Sequence, residues 1–136
     1  MLRVEAMRDH NVLVIIPDGP LESADFKFLV KEISPILASK GKLAGVIVRT
    51  ESFPGWRNVG ATACHLNFIR AYQHQIDRVA LVTSSTFLRL ASRVAHFVVK
   101  PQIRSFGLAE SDQALAWLEE DRGQTVLRRT VLHNAN

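Results

Sequence analysis

Short apolar runs alternate along this chain with longer segments of helical periodicity, and this alternation is what most constrains the fold. The periodicity predicts strands at Leu2–Arg8, Asn11–Pro17, Leu43–Val48, Arg78–Val82 and Gln102–Phe106. Strands that alternate with helices are usually joined as parallel neighbours by right-handed crossovers. We therefore predict an α/β fold of order ββαβαβαβα, with a single mixed, mostly parallel five-stranded sheet flanked by helices.

The first two predicted strands differ from the others because only Asp9 and His10 separate them. A connection this short predicts a tight hairpin, so the first strand adds one antiparallel edge to the sheet. The turn residues Asp18-Gly19-Pro20 then end the second strand.

The first helix is predicted to begin at Ser23, whose hydroxyl suits a helix cap. Its apolar positions recur at helical spacing and form one stripe that faces the sheet: Phe26, Leu29, Val30, Ile33, Ile36 and Leu37. Pro35 removes an internal hydrogen bond, which predicts a kink or break near Ile33-Ser34. Gly41 stands where a left-handed residue ends a helix.

Three further helices follow. The second runs from Asn58 or Val59 to about Gln73 and carries apolar side chains on more than one side, which predicts that it is well buried. The third has an apolar stripe that we expect to face the sheet: Phe87, Leu90, Ala91 and Val94. The last is capped by Ser111, and its apolar positions are Ala114, Leu115, Trp117 and Leu118.

A chain of 136 residues fits one domain with a sizeable core. We place this domain at residues 1–120 and treat residues 121–136, which lack a strong period, as a C-terminal tail. The longest apolar run, Val12–Ile16, is far too short to span a bilayer. The N-terminus lacks the apolar stretch of a signal peptide, and the single cysteine, Cys64, excludes an internal disulfide. These features predict a cytoplasmic protein.

The net charge is +4, but the seventeen Lys and Arg residues are scattered along the chain. The densest stretch consists of Arg89, Arg93, Lys100 and Arg104. Phe97 is the only aromatic side chain within it, whereas nucleic-acid binders concentrate basic residues with stacking aromatics. The pattern favours a solvated surface and no nucleic-acid partner, while a mildly basic patch would also help approach to anionic lipid headgroups.

An aromatic loop follows the third strand, from Thr50 to Arg57. Phe53 and Trp56 are costly to leave in water, so together with Pro54 they either form a lid on the core or a gate over a pocket. A gate of this kind suits a bilayer interface, where an indole ring finds both apolar and polar surroundings. Arg49 and Arg57 flank the loop; each is predicted either to bind an anionic headgroup or to pair with Glu51.

The carboxyl ends of parallel strands meet at one edge of a sheet, and ligands of open α/β sheets bind there. Three loops are therefore expected to converge: Asp18–Leu21, Thr50–Arg57 and Thr83–Thr86. The hydroxyls of Ser84 and Ser85 serve either as a helix cap or as ligands for an anionic head. The side chains expected in the pocket wall are Leu21, Leu66 and Phe87.

The sequence contains no recognisable catalytic constellation, so we predict a non-enzymatic protein without a cofactor. The five histidines show no metal-ligand spacing, which predicts no metal site. Cys64 and His65 are neighbours on a helix and project about 100° apart, which favours a buried, inert thiol over a nucleophile.

Taken together, these segments resemble the SpoIIAA-like family, a branch of the STAS (sulfate transporter and anti-sigma factor antagonist) fold group. The resemblance covers about Val4 to Glu120. The segments that carry it, by their order and spacing, are the Phe26 to Leu37 stripe, Phe53-Pro54-Gly55-Trp56, Arg78–Val82 and Ala114–Leu118.

The resemblance implies two different functions. Some members of the fold group, and topologically similar lipid-transfer domains, hold apolar ligands or meet membranes through loops at this end of the sheet. The leading prediction is accordingly a module that binds an apolar or amphipathic, lipid-like small ligand, with transient contact at the inner face of the membrane.

The second function implied by the resemblance is that of anti-sigma factor antagonists, which bind a regulatory protein partner and are phosphorylated at a helix start after the third strand. The corresponding acceptor here is Ser52, with Thr50 and Thr62 as further candidates. Phe53 and Pro54 separate Ser52 from the helix start, so this reading is the alternative. A homodimeric scaffold is a third possibility.

Overall fold

A computed structural model of the protein describes residues 2–7, 11–95 and 97–120. The strands are β1 (Leu2–Met7), β2 (Val12–Pro17), β3 (Leu43–Arg49), β4 (Ile76–Val82) and β5 (Gln102–Phe106). The helices are α1 (Ser23–Lys40), α2 (Val59–Tyr72), α3 (Thr86–Ala95) and a helical segment at residues 111–120, here α4. The predicted element order is confirmed. The hairpin residues Asp9 and His10 and the predicted tail at 121–136 lie outside the described residues.

The five strands form one sheet in the order β1-β2-β3-β4-β5. β1 pairs with β2 in the antiparallel sense, and each later pair is parallel, as predicted. The register places Leu13 beside Val46 and Val46 beside Val79, so these side chains share one face of the sheet. Because successive parallel strands are neighbours joined by right-handed crossovers, α1, α2 and α3 all cover this same face.

Two hydrophobic cores lie on opposite faces of the sheet. The first joins the sheet to α1 and α2, with Phe26, Leu29 and Ile33 of α1 buried against Leu13 and Val46. The second lies beneath α4 and consists of Val12, Ile47, Ala80, Val82, Phe106, Ala114 and Leu118. No described helix is both long and apolar enough to cross a membrane.

Helix α1 begins and ends near its predicted bounds, but two details differ. Its N-cap is Glu22, whose backbone N–H donates to the Asp25 carboxylate at 2.8 Å, so the prediction that Ser23 caps the helix was wrong. The helix also continues past Pro35 as one element, so of the predicted kink or break near Ile33-Ser34 the break is absent. Gly41 ends the helix with φ at 80°, as predicted.

Two predictions about helix burial were wrong. Helix α2 was expected to be well buried, yet Ala61 is its only buried residue, and Val59 and Leu66 are 85% and 57% exposed. The stripe of α3 was expected to face the sheet, but its outward side carries Phe87, Leu90 and Val94, while Ser92 is the buried residue. Periodicity shows which residues share a helix face, but not whether that face meets the sheet.

Candidate functional site

The aromatic loop, residues 50–57, is held in place by backbone hydrogen bonds to both neighbouring strand ends. Leu21 donates its N–H to the carbonyl of Gly55, and Arg57 donates back to the carbonyl of Leu21, both at 2.8 Å. Thr50 donates to the carbonyl of Val82 at 3.0 Å. Gly55 has φ at 76°, a left-handed conformation that glycine adopts without steric cost and that lets the chain turn back toward Leu21.

The third loop also contacts the aromatic loop. The hydroxyls of Thr83 and Ser84 both donate to the carbonyl of Glu51, at 3.2 and 3.0 Å. The three loops predicted to converge at the carboxyl ends of the parallel strands are therefore joined by direct hydrogen bonds.

An apolar cavity of about 300 Å³ lies beneath this loop cluster, between the sheet and the three helices that cover it. The sheet contributes Val46, Val48, Val79, Leu81 and Ile103 to the wall, and the helices contribute Phe26, Leu29, Phe68, Ile69 and Leu88. Among the described residues, α1 packs directly against α2, whereas α2 and α3 make little contact with each other. The cavity occupies the space that this loose contact leaves over β3, β4 and β5.

A chain of aromatic contacts crosses the cavity mouth from α1 to α3. The Phe26 ring stacks on His65 with their centroids 5.1 Å apart, and Trp56 donates its indole N–H to Nδ1 of His65 at 3.1 Å. Phe53 meets Trp56 edge to face at 5.1 Å and lies 5.6 Å from Phe87. Phe53 and Trp56 remain 36% and 38% exposed. Phe53 therefore lines the cavity on one side and meets solvent on the other, and Trp56 packs against Phe53 from outside the wall.

His65 is neutral when it accepts the indole hydrogen bond, because a protonated imidazole has no free lone pair. Burial among apolar groups lowers the pKa of His65 below its usual value, which favours this neutral form. The imidazole therefore acts as an acceptor that fastens the aromatic loop to α2.

This arrangement predicts acid sensitivity. The pKa of His65 is lower in the folded protein than in the unfolded chain. Below about pH 6.5 the unfolded chain therefore binds more protons than the folded protein. The contribution of neutral His65 to the free energy of unfolding is lost as the pH falls through the folded pKa. We expect the free energy of unfolding to fall with a slope of at most about 1.4 kcal/mol per pH unit from this group. Denaturant titrations at several pH values measure it.

The control for acid sensitivity is His65→Gln, which retains a carbonyl acceptor for the indole but does not titrate. The slope between pH 6.5 and lower values should shrink in this variant, since the other histidines are unchanged. An identical slope in both proteins would assign the acid sensitivity to other groups.

The structure brings several of the predicted site residues together at the cavity. Leu21, Phe53 and Pro54 lie in its wall, and Trp56 braces the wall from outside through Phe53 and His65. Leu66, predicted for the wall, is instead exposed on α2. Phe87, also predicted for the wall, lies outside it, and its ring contacts Phe53, which does line the cavity.

The predicted polar groups make local contacts. Arg57 pairs with Glu22 at 2.9 Å, not with Glu51, and Arg49 donates to the hydroxyl of Ser111 at 2.8 Å. Ser111 is the first residue of α4 in this structure, not the cap that the sequence predicted.

The serines of the third loop also act locally. Ser85 accepts the backbone N–H of Leu88 at 3.2 Å and so caps α3, one of its two predicted roles. The hydroxyl of Ser84 is directed to the Glu51 carbonyl. In these positions both side chains fix the loops around the cavity mouth.

A second, polar depression lies on the other side of Pro54. Ser52 lines it together with Arg3, Asp18 and Arg49. Within the part of the chain that the structure describes, no group of three His, Cys, Asp or Glu side chains has metal-binding geometry.

Sequence reasoning missed His65 as the residue that positions the loop. A lone histidine on a helix with apolar neighbours is usually part of the core, so nothing local marks it. The sequence does place His65 one helical turn before Phe68, on the helix that directly follows the aromatic loop.

A family model described as SpoIIAA-like matches residues 12–119, which include all three converging loops. The chain belongs to the SpoIIAA-like family. This match confirms the resemblance predicted from the sequence and the prediction that the chain is a SpoIIAA-like module.

A solved structure agrees with this assignment at the level of the fold. The SpoIIAA-like chain is similar to the crystal structure of an uncharacterised protein with a SpoIIAA-like fold from Shewanella loihica PV-4, with 21% sequence identity and a TM-score of 0.65. The match covers 87% of this chain and 92% of the Shewanella chain. A comparison with curated proteins gives no match.

Proposed function

We propose that this SpoIIAA-like protein is a non-enzymatic module that binds an apolar or amphipathic small ligand and makes transient contact with a membrane. The observation that carries the proposal is the apolar cavity whose wall includes Phe53 and Pro54 of the aromatic loop, with Trp56 packed against Phe53 from outside. It lies where the loops after the parallel strands converge, which is the usual ligand-binding end of an open α/β sheet.

The size and lining of the cavity limit the ligand. A volume of about 300 Å³ is at the small end of ligand pockets and suits a short acyl chain or a compact ring system. Each buried methylene contributes about 0.8 kcal/mol, so about eight of them contribute about 6 kcal/mol before the cost of association. The wall is almost wholly apolar, so an amphipathic ligand would keep its polar end at the mouth, near Thr50 and His65.

The aromatic loop supports the membrane part of the proposal. Phe53 and Trp56 are half-exposed, and transferring the remaining ring surface into a bilayer interface is favourable. Two aromatic rings give weak, reversible attachment and not stable anchoring. Such contact would place the cavity mouth next to a source or acceptor of the ligand.

Removing both rings should weaken vesicle binding. In liposome flotation, Phe53→Ala combined with Trp56→Ala is expected to reduce the bound fraction about tenfold or more, since burial of both rings contributes on the order of 3–6 kcal/mol. Phe28→Ala is the matched control, because Phe28 is a similarly exposed aromatic on α1. If the parent protein binds neither neutral nor anionic vesicles, the membrane contact in the proposed function is wrong.

The alternative function, regulation through a protein partner, has one supporting observation. Ser52 is exposed and shares the polar depression with Arg3 and Arg49, whose guanidinium groups would stabilise an added phosphate, and with the opposing carboxylates of Asp18 and Glu51. The discriminating measurement is phosphopeptide analysis of protein from its native host. Unmodified Ser52, Thr50 and Thr62 together with no captured partner would count against this alternative.

A further inference from the structure

Helix α3 presents its apolar side to solvent. Phe87, Leu90 and Val94 are 63%, 56% and 66% exposed, and Val98 in the following turn is 76% exposed. We call these four residues the α3 stripe. The inward side carries Leu88, which lines the cavity, and the buried Ser92. Singly exposed apolar residues are ordinary, but a stripe at helical spacing marks an interaction surface.

The α3 stripe is continuous with the roof of the cavity. The Phe87 ring at its N-terminal end lies 5.6 Å from Phe53, which in turn contacts Trp56 at 5.1 Å. The aromatic loop and the outward side of α3 thus form one apolar surface on the side of the molecule where the cavity opens.

Cations border the α3 stripe along the chain. Residues 84–100 contain Arg89, Arg93 and Lys100 and no Asp or Glu. Arg93 is exposed and lies one turn from Leu90 on α3, and Lys100 is exposed just after the stripe. A partner that covers the stripe must therefore accept cations at its border.

We propose that the α3 stripe docks on an anionic phospholipid bilayer, with α3 parallel to the membrane surface. An apolar helix face bordered by basic side chains is the pattern of interfacial helices, which lie at the boundary of headgroups and acyl chains. A second copy of this chain fits less well, because pairing two stripes would bring two basic borders together without acidic partners. The inference rests on the membrane contact of the proposed function and adds α3 and a requirement for anionic lipid.

The test is co-sedimentation of the full chain with vesicles of phosphatidylcholine, with and without phosphatidylglycerol. Binding is expected to require phosphatidylglycerol and to weaken as salt is raised. Leu90→Ser combined with Val94→Ser should reduce the partition coefficient about tenfold or more. Arg93→Glu should reduce it about fivefold or more, because it removes one cation and adds a repelled charge.

Matched controls lie on α1. Phe28→Ser removes an exposed apolar side chain and Lys31→Glu reverses an exposed cation, both outside the α3 stripe, so each should bind vesicles as the parent does. Thermal unfolding of every variant confirms that these exposed substitutions leave the fold intact.

Three results would overturn the inference. The first is equal vesicle binding by the parent and the Leu90→Ser, Val94→Ser variant. The second is equal binding of the parent to vesicles with and without phosphatidylglycerol. The third is a parent dimer in light scattering that the same variant dissociates, without vesicle binding, which would assign the stripe to a second copy. Ligand binding is tested separately: the stripe variant should keep any adduct seen in native mass spectrometry, because Leu90 and Val94 lie outside the cavity wall.

Discussion

Replacing Leu118 by alanine is expected to lower the free energy of unfolding by about 3–5 kcal/mol. Leu118 is 1% exposed and lies at the centre of the core beneath α4, against the face of the sheet opposite the cavity. The truncation removes buried methyl groups and leaves a space that rigid strands cannot fill, so both the transfer and the cavity terms are large. Urea unfolding of the parent and variant measures the difference.

The same contact can be tested from the sheet. A Cβ atom built at Gly45 would lie 2.5 Å from Cδ2 of Leu118, so Gly45→Ala forces the leucine to move. We expect Gly45→Ala to be destabilising in the parent and much less so in the Leu118→Ala background, where the clash is gone. Additive effects of the two substitutions would show that α4 does not pack on Gly45. Leu115→Ala, at a half-buried position of α4, should cost less than Leu118→Ala.

Filling the cavity should abolish most ligand binding. Val79 lies on β4 in the cavity wall, so the ring of Val79→Phe is expected to occupy space that the ligand needs. If it excludes about three methylene groups, binding weakens by about 2.4 kcal/mol, or about fiftyfold in Kd. Titration with a fluorescent medium-chain fatty acid measures this change.

The matched control for the filled cavity is Val59→Phe, which makes the same substitution at an exposed position outside the cavity wall. It should bind the probe as the parent does. Both variants should unfold near the parent temperature, because one ring enters existing space and the other meets solvent. Equal probe binding by the two variants would place the probe elsewhere on the protein.

The sheet was predictable because its determinants are local. Each strand is a short apolar run, each helix has its own period, and the order of the elements leaves one right-handed arrangement for the parallel strands. The turn at Gly41 and the convergence of the three loops follow from the same reasoning, and both were confirmed.

The orientation of the outer helices was not predictable in this way. The apolar stripe of α3 was assigned to the sheet because burial is the usual fate of such a stripe, yet the helix packs with Leu88 and Ser92 inward. A kink or a break was expected near Ile33-Ser34, and the break is absent because the buried side of α1 outweighs the local backbone preference of Pro35. The hydrogen bond from Trp56 to His65 depends on how the loop packs against α2, and the spacing of residues in the sequence does not predict it.

A ligand in the apolar cavity can be detected by native mass spectrometry of protein gently purified from its native host. We expect a noncovalent adduct of lipid-like mass on the parent protein, retained by Val59→Phe and lost from Val79→Phe. A parent protein without any adduct, or an adduct equally abundant on Val79→Phe, would contradict it.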